Sequence, residues 1–251
     1  MYNLTIVRHG QTTSYQERRF SGWSNTPLTD TGRSEAIAAG KFLKQAGHSF
    51  DVCFSSCLKR ATDSAELILN ELNISSDIVV HDWHLNERHY GSLQGELRKD
   101  MALKHSVSDV MKWRSNYDAQ PPALTDDDLR WQEQLGRIGA IPPALHPRSE
   151  SMRQAVKRTQ HYWSAEIVPA LKANKKVLVV AHTSTLRSLT GCIEDLTESQ
   201  LAGFRMSTAM PRYYELDEDL KCIKRCDLTD NPKVKIREWV IHNKVKLLKA
   251  L

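Results

Sequence analysis

An α/β domain built on a largely parallel sheet flanked by helices is the fold class this sequence predicts, and three observations carry it. Short apolar, β-branched runs at 4–8, 51–55, 77–81 and 176–181 alternate with helical stretches at 33–46, 58–72 and 151–172, the order that crossover connections require. Two more strand-like runs, 212–216 and 221–225, follow. Ser151-x-x-Gln154 has the form of a capping box ahead of an apolar-periodic helix.

The first run, LTIVR, sends Leu4, Ile6 and Val7 into a core, and Gly10 then breaks the pattern as a turn residue does, so Arg8 and His9 sit where a strand stops. The second run, DVCF, leads into SSCLKRATDSAELIL, which places Arg60 at the start of the following helix. Residues 115–150 show no clear periodicity. With Pro121-Pro122, Asp126-Asp127-Asp128 and Pro142-Pro143, they read as a loop-rich insertion. The later run, KVLVVA, ends at His182, and TSTLRSL after it reads as the first turn of a helix, whose N–H groups favour an anion.

At 251 residues the chain is long enough to bury its own core, and 40% hydrophobic with 26% charged residues describes an ordinary globular composition. We expect a single domain over 1–251. No basic segment precedes an apolar stretch at the start, and no run approaches the ~20 apolar residues of a membrane span; the expectation is a cytoplasmic protein without a membrane span. The net charge of +5 lies entirely in the tail, where residues 233–251 hold six Lys or Arg against Glu238. The remainder is neutral, so nucleic acid is not an expected partner. The divergent basic tail, 227–251, reads as a helix packing Ile236, Val240 and Leu247 on the body with its lysines in water, or alternatively touching an anionic surface. Cys53, Cys57, Cys192, Cys222 and Cys226 form two C-x3-C pairs, a spacing zinc can use, but Cys53 lies in an apolar strand and the set reads as reduced thiols. His81, His84 and His89 crowd together without a companion group of metal-ligand spacing, and no metal is expected.

Ligands of open α/β sheets bind beyond the carboxyl ends of strands, and His9 and His182 both stand there. A neutral imidazole, ordinary pKa about 6.5, can attack phosphorus with its ring lone pair. Without a metal, the charge on the transferring group must then be met by guanidinium forks and a protonated imidazole. Two strand-end histidines with Arg8 and Arg60 therefore point to phosphoryl transfer through a phosphohistidine.

RHGQTTSYQERRFSGWSNTPLTDTG at 8–32, SSCLKRATDSAELIL at 55–69 and LNERHYGSLQG at 85–95 resemble the cofactor-dependent phosphoglycerate mutases of the histidine phosphatase superfamily. The likeness continues through KWRSNYDAQPPAL, PRSESMRQAVKRTQHYW, KKVLVVAHTSTLRSL and YELDEDLKCI, to about residue 225. The resemblance implies a three-layer, phosphoglycerate mutase-like fold with a mostly parallel sheet. It implies His9 as nucleophile, Arg8, Arg60 and His182 around the phosphate, and Glu87 as proton donor and acceptor. Ser21 and Gly22 would hydrogen-bond the phosphate; Tyr90, Arg98 and Arg114 would hold the substrate's carboxylate end, with Thr183 and Ser184 beside the second histidine. It further implies 2,3-bisphosphoglycerate as phosphoryl primer, a small phosphorylated metabolite as partner, and leaves a homodimer or homotetramer open. Taken without the resemblance, Glu87 between Asn86 and Arg88 reads as half of a loop salt bridge.

Departures from the family motifs fall around the substrate. A tryptophan and a substrate-contacting asparagine become Ser14 and Tyr15; WRRSY becomes Trp113-Arg114-Ser115-Asn116; GLNK becomes Gly95-Glu96-Leu97-Arg98; HGNS becomes His182-Thr183-Ser184-Thr185; PTG becomes Ser207-Thr208-Ala209. Losing one arginine of a buried charge pair can remove about 2–5 kcal/mol of binding. Three readings follow: a mutase interconverting 3- and 2-phosphoglycerate, as in glycolysis and gluconeogenesis; a phosphatase acting on another phosphorylated metabolite; and a non-catalytic binder of phosphorylated ligands. The first is the expectation, because Arg8, His9, Arg60, Glu87 and His182 are all present.

Overall fold

The computed structural model describes residues 1–137 and 145–228. Six strands among them, β1 (Tyr2–Arg8), β2 (Val52–Ser55), β3 (Val79–His81), β4 (Val177–Ala181), β5 (Pro211–Leu216) and β6 (Cys222–Asp227), form one sheet in the order β3-β2-β4-β1-β5-β6. The first four of that order pair in parallel; β5 and β6 join antiparallel at one edge, so the sheet is mixed rather than wholly parallel.

Side-chain alternation along the strands sorts the two faces. From β1 and β4, Leu4, Ile6, Val177, Val179 and Ala181 meet Tyr162, Ile167, Leu171, Leu186 and Leu189, which come from α7 (Met152–Tyr162), α8 (Val168–Lys172), α9 (Thr183–Glu194) and the turn before α8. On the other face Val7, Leu178 and Val180 meet Ala39, Leu43, Ala65, Ile68 and Leu69 of α2 (Asp30–Gln45) and α3 (Lys59–Glu71). Every residue of β4 is buried, as expected of a central parallel strand covered on both sides. Each buried aliphatic side chain here contributes about 1.5–3 kcal/mol of transfer free energy. Helices, sheet, helices: the fold class read from the sequence is the one observed.

The expected helices are longer or broken for local reasons. Thr29 caps α2 by accepting from the Gly32 N–H, so that helix starts before residue 33. The stretch 151–172 begins at its capping box as expected, then passes through a π-helical turn over Trp163–Ile167. Pro169 lies just beyond and has no N–H to continue the ladder. The short helices α1 (Thr13–Gln16), α4 (Arg98–Lys104), α5 (Val107–Ser115) and α10 (Glu198–Gly203) lie in the connections between these elements.

The region 115–150 is less loop-like than expected, because α6 (Leu129–Arg137) lies within it. Its buried positions are Trp131 and the polar Gln134, while Leu129 is exposed, which hides the helix from an apolar-periodicity reading. The expected tail helix with Ile236, Val240 and Leu247 lies outside the described residues. No helix among the described residues is long and apolar enough to cross a membrane. The five cysteines are free thiols, with burial pushing Cys53 up to about 12 and Cys57 to about 11.

One close backbone approach fixes the segment after β1. A Cβ on Gly10 would lie 2.2 Å from the Gly32 carbonyl oxygen, and one on Gly32 would lie 2.0 Å from that of Gln11. Both atoms belong to backbone and cannot rotate away. Gly32→Ala is expected to lower stability by about 1–3 kcal/mol, read as a shift of the urea midpoint; an unchanged midpoint would contradict this packing.

Candidate active site

β1 and β4 are parallel neighbours with Arg8 opposite Ala181, so the residues that follow them, His9 and His182, emerge side by side. The His9 N–H donates to the Ala181 carbonyl at 3.1 Å, and the two imidazole rings lie 5.0 Å apart. His9 Nδ1 is 2.7 Å from the Gly10 carbonyl oxygen, which can only accept. That contact assigns the ring hydrogen to Nδ1 and leaves the lone pair on Nε2.

His182 caps α9, and its Nε2 lies 2.7 Å from Ser56 Oγ. Ser56 Oγ also accepts the Leu58 N–H at 3.2 Å, and Nδ1 is the ring nitrogen of His182 that Ser56 does not engage. That Nδ1 is buried and has no hydrogen-bond partner. Burial first, then Arg60 and Arg8, hold His9 well below the ordinary value of 6.5; burial, Arg60 and His9 do the same to His182. Desolvation and the surrounding guanidinium groups, invisible in the sequence, favour the neutral rings, so the protonated imidazole expected during transfer requires an anion beside it.

Arg60 is almost fully buried, its Nη1 donating to the Ser24 carbonyl at 2.9 Å and its Nη2 to the Gly22 carbonyl at 2.7 Å. Arg8 donates to the Met206 carbonyl at 3.0 Å, and its buried Nε has no partner. A cavity of about 280 Å³ opens over these groups. Arg8, His9, Ser21, Gly22, Arg60, Glu87, Tyr90, Arg98, Arg114, Thr183 and Ser184 all line it, whereas His182 is fully buried and contributes no wall. Tyr15, Ser115 and Thr183, three of the departures from the mutase motifs, are wall residues too. Sequence reasoning missed Arg88, Arg187 and Arg205 in the same wall. Arg88 stands next to Glu87 in the motif, and Arg187 lies one helical turn after Thr183, so both carried a signal. Arg205, in the irregular segment before β5, carried none.

Glu87 is fixed by contacts distant in sequence. Its Oε1 accepts the N–H groups of Arg88 at 2.7 Å and Ser184 at 3.3 Å, so it forms no loop salt bridge with the Arg88 side chain. Its carbonyl accepts from Trp23 Nε1 at 2.6 Å and Arg158 Nη2 at 3.4 Å. Arg158 Nη1 also binds the Trp83, His84 and Asn86 carbonyls, while its Nε and Nη2 grip the Glu150 carboxylate, both at 2.9 Å. Glu150 in turn accepts the His89 N–H at 2.9 Å. His89 itself serves structure: its Nδ1 accepts from Gly91, its Nε2 donates to Gln134, and burial pushes its pKa down to about 4. Among the described residues no three His, Cys, Asp or Glu side chains converge as a metal site.

The family model described as the histidine phosphatase superfamily, branch 1, matches residues 4–138, more than half of the chain. The chain belongs to the histidine phosphatase superfamily. It is an enzyme of that superfamily, transferring phosphoryl groups through a phosphohistidine. Solved structures similar to this histidine phosphatase chain include a putative alpha-ribazole-5'-P phosphatase from Escherichia coli, 18% identical, with a TM-score of 0.69 over 90% of this chain and 97% of that one. A mycobacterial glucosyl-3-phosphoglycerate phosphatase is 22% identical over 86% and 93%, TM-score 0.63. The protein YhfR of Bacillus stearothermophilus is 20% identical over 91% and 96%, TM-score 0.64. At these identities the likeness establishes the shared fold.

Neutral buried histidines make stability depend on pH. His9, His182 and His89 stay uncharged in the fold but take up protons in the unfolded chain below about 6.5, so unfolding is favoured as pH falls through that value. For His89 the loss continues down to about 4, where the folded ring also protonates, and it amounts to about 2 kcal/mol by pH ~5. Glu150, held below its ordinary 4.5 by Arg158 against the opposing effect of burial, adds its loss only at lower pH. Urea midpoints should fall between pH ~7 and ~5; a flat profile would contradict neutral histidines.

Proposed function

We propose that this enzyme is a phosphatase hydrolysing a small anionic phosphomonoester through phospho-His9, in place of the mutase the sequence resemblance suggests. The observation carrying the reading is His9 itself: a neutral ring with Nδ1 engaged by Gly10 and a free lone pair on Nε2, facing an arginine-lined cavity in which Glu87 is the one carboxylate among the described residues.

In the first step Nε2 attacks phosphorus and the P–O bond to the leaving group breaks, while the Glu87 carboxyl gives its proton to the departing oxygen. The Nδ1 hydrogen bond to Gly10 steadies the positive charge that the ring acquires. Arg8 and Arg60, which line the cavity with His9, meet the equatorial oxygens, and His182 packs its ring 5.0 Å from that of His9. In the second step water attacks the phosphohistidine, the N–P bond breaks, and Glu87 takes the water's proton. The cations already present stand where a metal would otherwise neutralise charge, so we propose that no metal is needed, and hydrolysis needs no 2,3-bisphosphoglycerate primer.

Two considerations support hydrolysis over isomerisation. A mutase must hold both ends of a small acid while its bisphosphorylated intermediate reorients, yet Tyr15, Ser115 and Thr183 occupy the cavity wall where that family has asparagine, arginine and glycine. Removing an arginine weakens the grip, and water then competes for the phosphohistidine. Two of the similar structures are also described as phosphatases.

A coupled assay with 3-phosphoglycerate, run beside a screen of phosphomonoesters for inorganic phosphate release, separates the readings. Phosphate release without isomerisation, unaffected by EDTA, is expected; primer-dependent formation of 2-phosphoglycerate as the dominant reaction would restore the mutase. Glu87→Gln should lower kcat by about 10²–10⁴, with the smallest effect on esters whose leaving group needs no proton.

A further inference from the structure

The reaction cavity does not end at its own mouth. A second, outer cleft of about 830 Å³ shares Tyr15, Arg98 and Arg114 with it, so the two spaces adjoin at a neck made by these three side chains. At about 280 Å³, the inner space lies at the lower end of the ~300–1,000 Å³ usual for small-molecule sites. The outer one is the larger by far.

The outer cleft is built rather than incidental. Its two sides are tied by backbone: the Arg98 N–H donates to the Arg18 carbonyl at 3.1 Å, and Arg19 bridges Leu97 in an antiparallel pair. Arg18 adopts the left-handed conformation, φ 59°, to make that turn. Among the described residues, Arg18, Arg98, Lys99 and Arg114 line it against a single acid, Glu17, whose carboxylate is already paired with Arg19. No carboxylate among the described residues pairs with any of those four cations. Arg98 bears the strain most directly. Its Nε is buried without a partner, and burial, Arg114 and Arg18 all act to lower its pKa. Gathering like charges around a half-buried guanidinium is unfavourable unless an anion completes the group.

We infer that the substrate extends through this neck: its phosphate reaches His9, and its leaving group lies in the outer cleft beside Tyr15, ending in a second acidic group bound by Arg18 and Lys99. This deepens the phosphatase reading and rests on it for the phosphate end. The substrate class is thus a phosphomonoester with an elongated, acid-terminated leaving group, larger than a three-carbon acid. Tyr15, half exposed at the neck with the Arg8 guanidinium 5.6 Å over its ring, offers apolar surface to the middle of such a molecule, and Gln11 and Gln16 offer amide hydrogen bonds.

The test is calorimetric binding to the full chain carrying His9→Ala, so that no turnover is needed. The probes are phosphoglycolate and its homologues with progressively longer polymethylene chains between phosphate and carboxylate, beside monoalkyl phosphates of equal length. Affinity is expected to rise about tenfold or more with length in the carboxylate series alone, the gain of a charge-assisted contact. Adding Arg18→Gln and Lys99→Gln should return the long probes to the affinity of phosphoglycolate. Tightest binding by phosphoglycolate, an equal rise in the monoalkyl series, or indifference to the two substitutions would overturn the inference. If long probes bind tighter but the His9 enzyme releases phosphate from none of them, the phosphatase reading fails and the extended site stands.

Discussion

The parallel pairing of β1 with β4 is the constraint on which the rest depends. Because the two strands lie in register and end at one level, the residues following them are neighbours although 173 positions separate them in the chain. One becomes a ring with a free lone pair facing the cavity and the other a fully buried ring packed 5.0 Å from it. The same pairing brings the first turn of α9 to the site, where the Ser184 N–H holds the Glu87 carboxylate. Nucleophile, second histidine and carboxylate therefore owe their mutual placement to one strand register.

Charge is the second theme. A cavity this rich in arginine, with one carboxylate among the described residues, has a positive potential that draws anions in and adds to the burial that keeps the histidines neutral. The loop that carries Glu87 is held by Arg158, which clamps the carbonyls around it while Glu150 balances the guanidinium charge. Breaking a buried pair of this kind typically costs about 3–5 kcal/mol, so position of the loop and stability of the fold are bound together. The loop is irregular in shape yet thoroughly hydrogen-bonded: Asn86 Oδ1 accepts from Cys57, and Thr185 Oγ1 donates to the Leu85 and Asn86 carbonyls.

Much of this was legible in the sequence wherever the cause was local. LTIVR and KVLVVA announce strands because buried parallel strands are continuously apolar, and the histidines at their ends follow from that alone. Arg60 is found by counting from the second strand. The order of strands is not local, nor are the antiparallel β5 and β6 at the edge, so a largely parallel sheet was expected where a mixed one occurs. Helix α6 was missed because its inward residues, Trp131 and Gln134, are not an apolar stripe. Arg158 and Glu150 drew no reading from the sequence; only the fold shows them buried against a loop some sixty to seventy residues away in the chain. The charge states of His9 and His182 likewise depend on burial among arginines, which no motif records.

The choice between mutase and phosphatase rests on side chains at the cavity wall, while the covalent chemistry rests on His9. Rapid-quench turnover followed by mass spectrometry of the peptide containing residues 8–18 addresses that chemistry most directly. A transient phosphoryl group on His9 that forms and decays at the rate of product release is the predicted result. Product formed at full rate with the phosphoryl group on another residue, or on none, would contradict it.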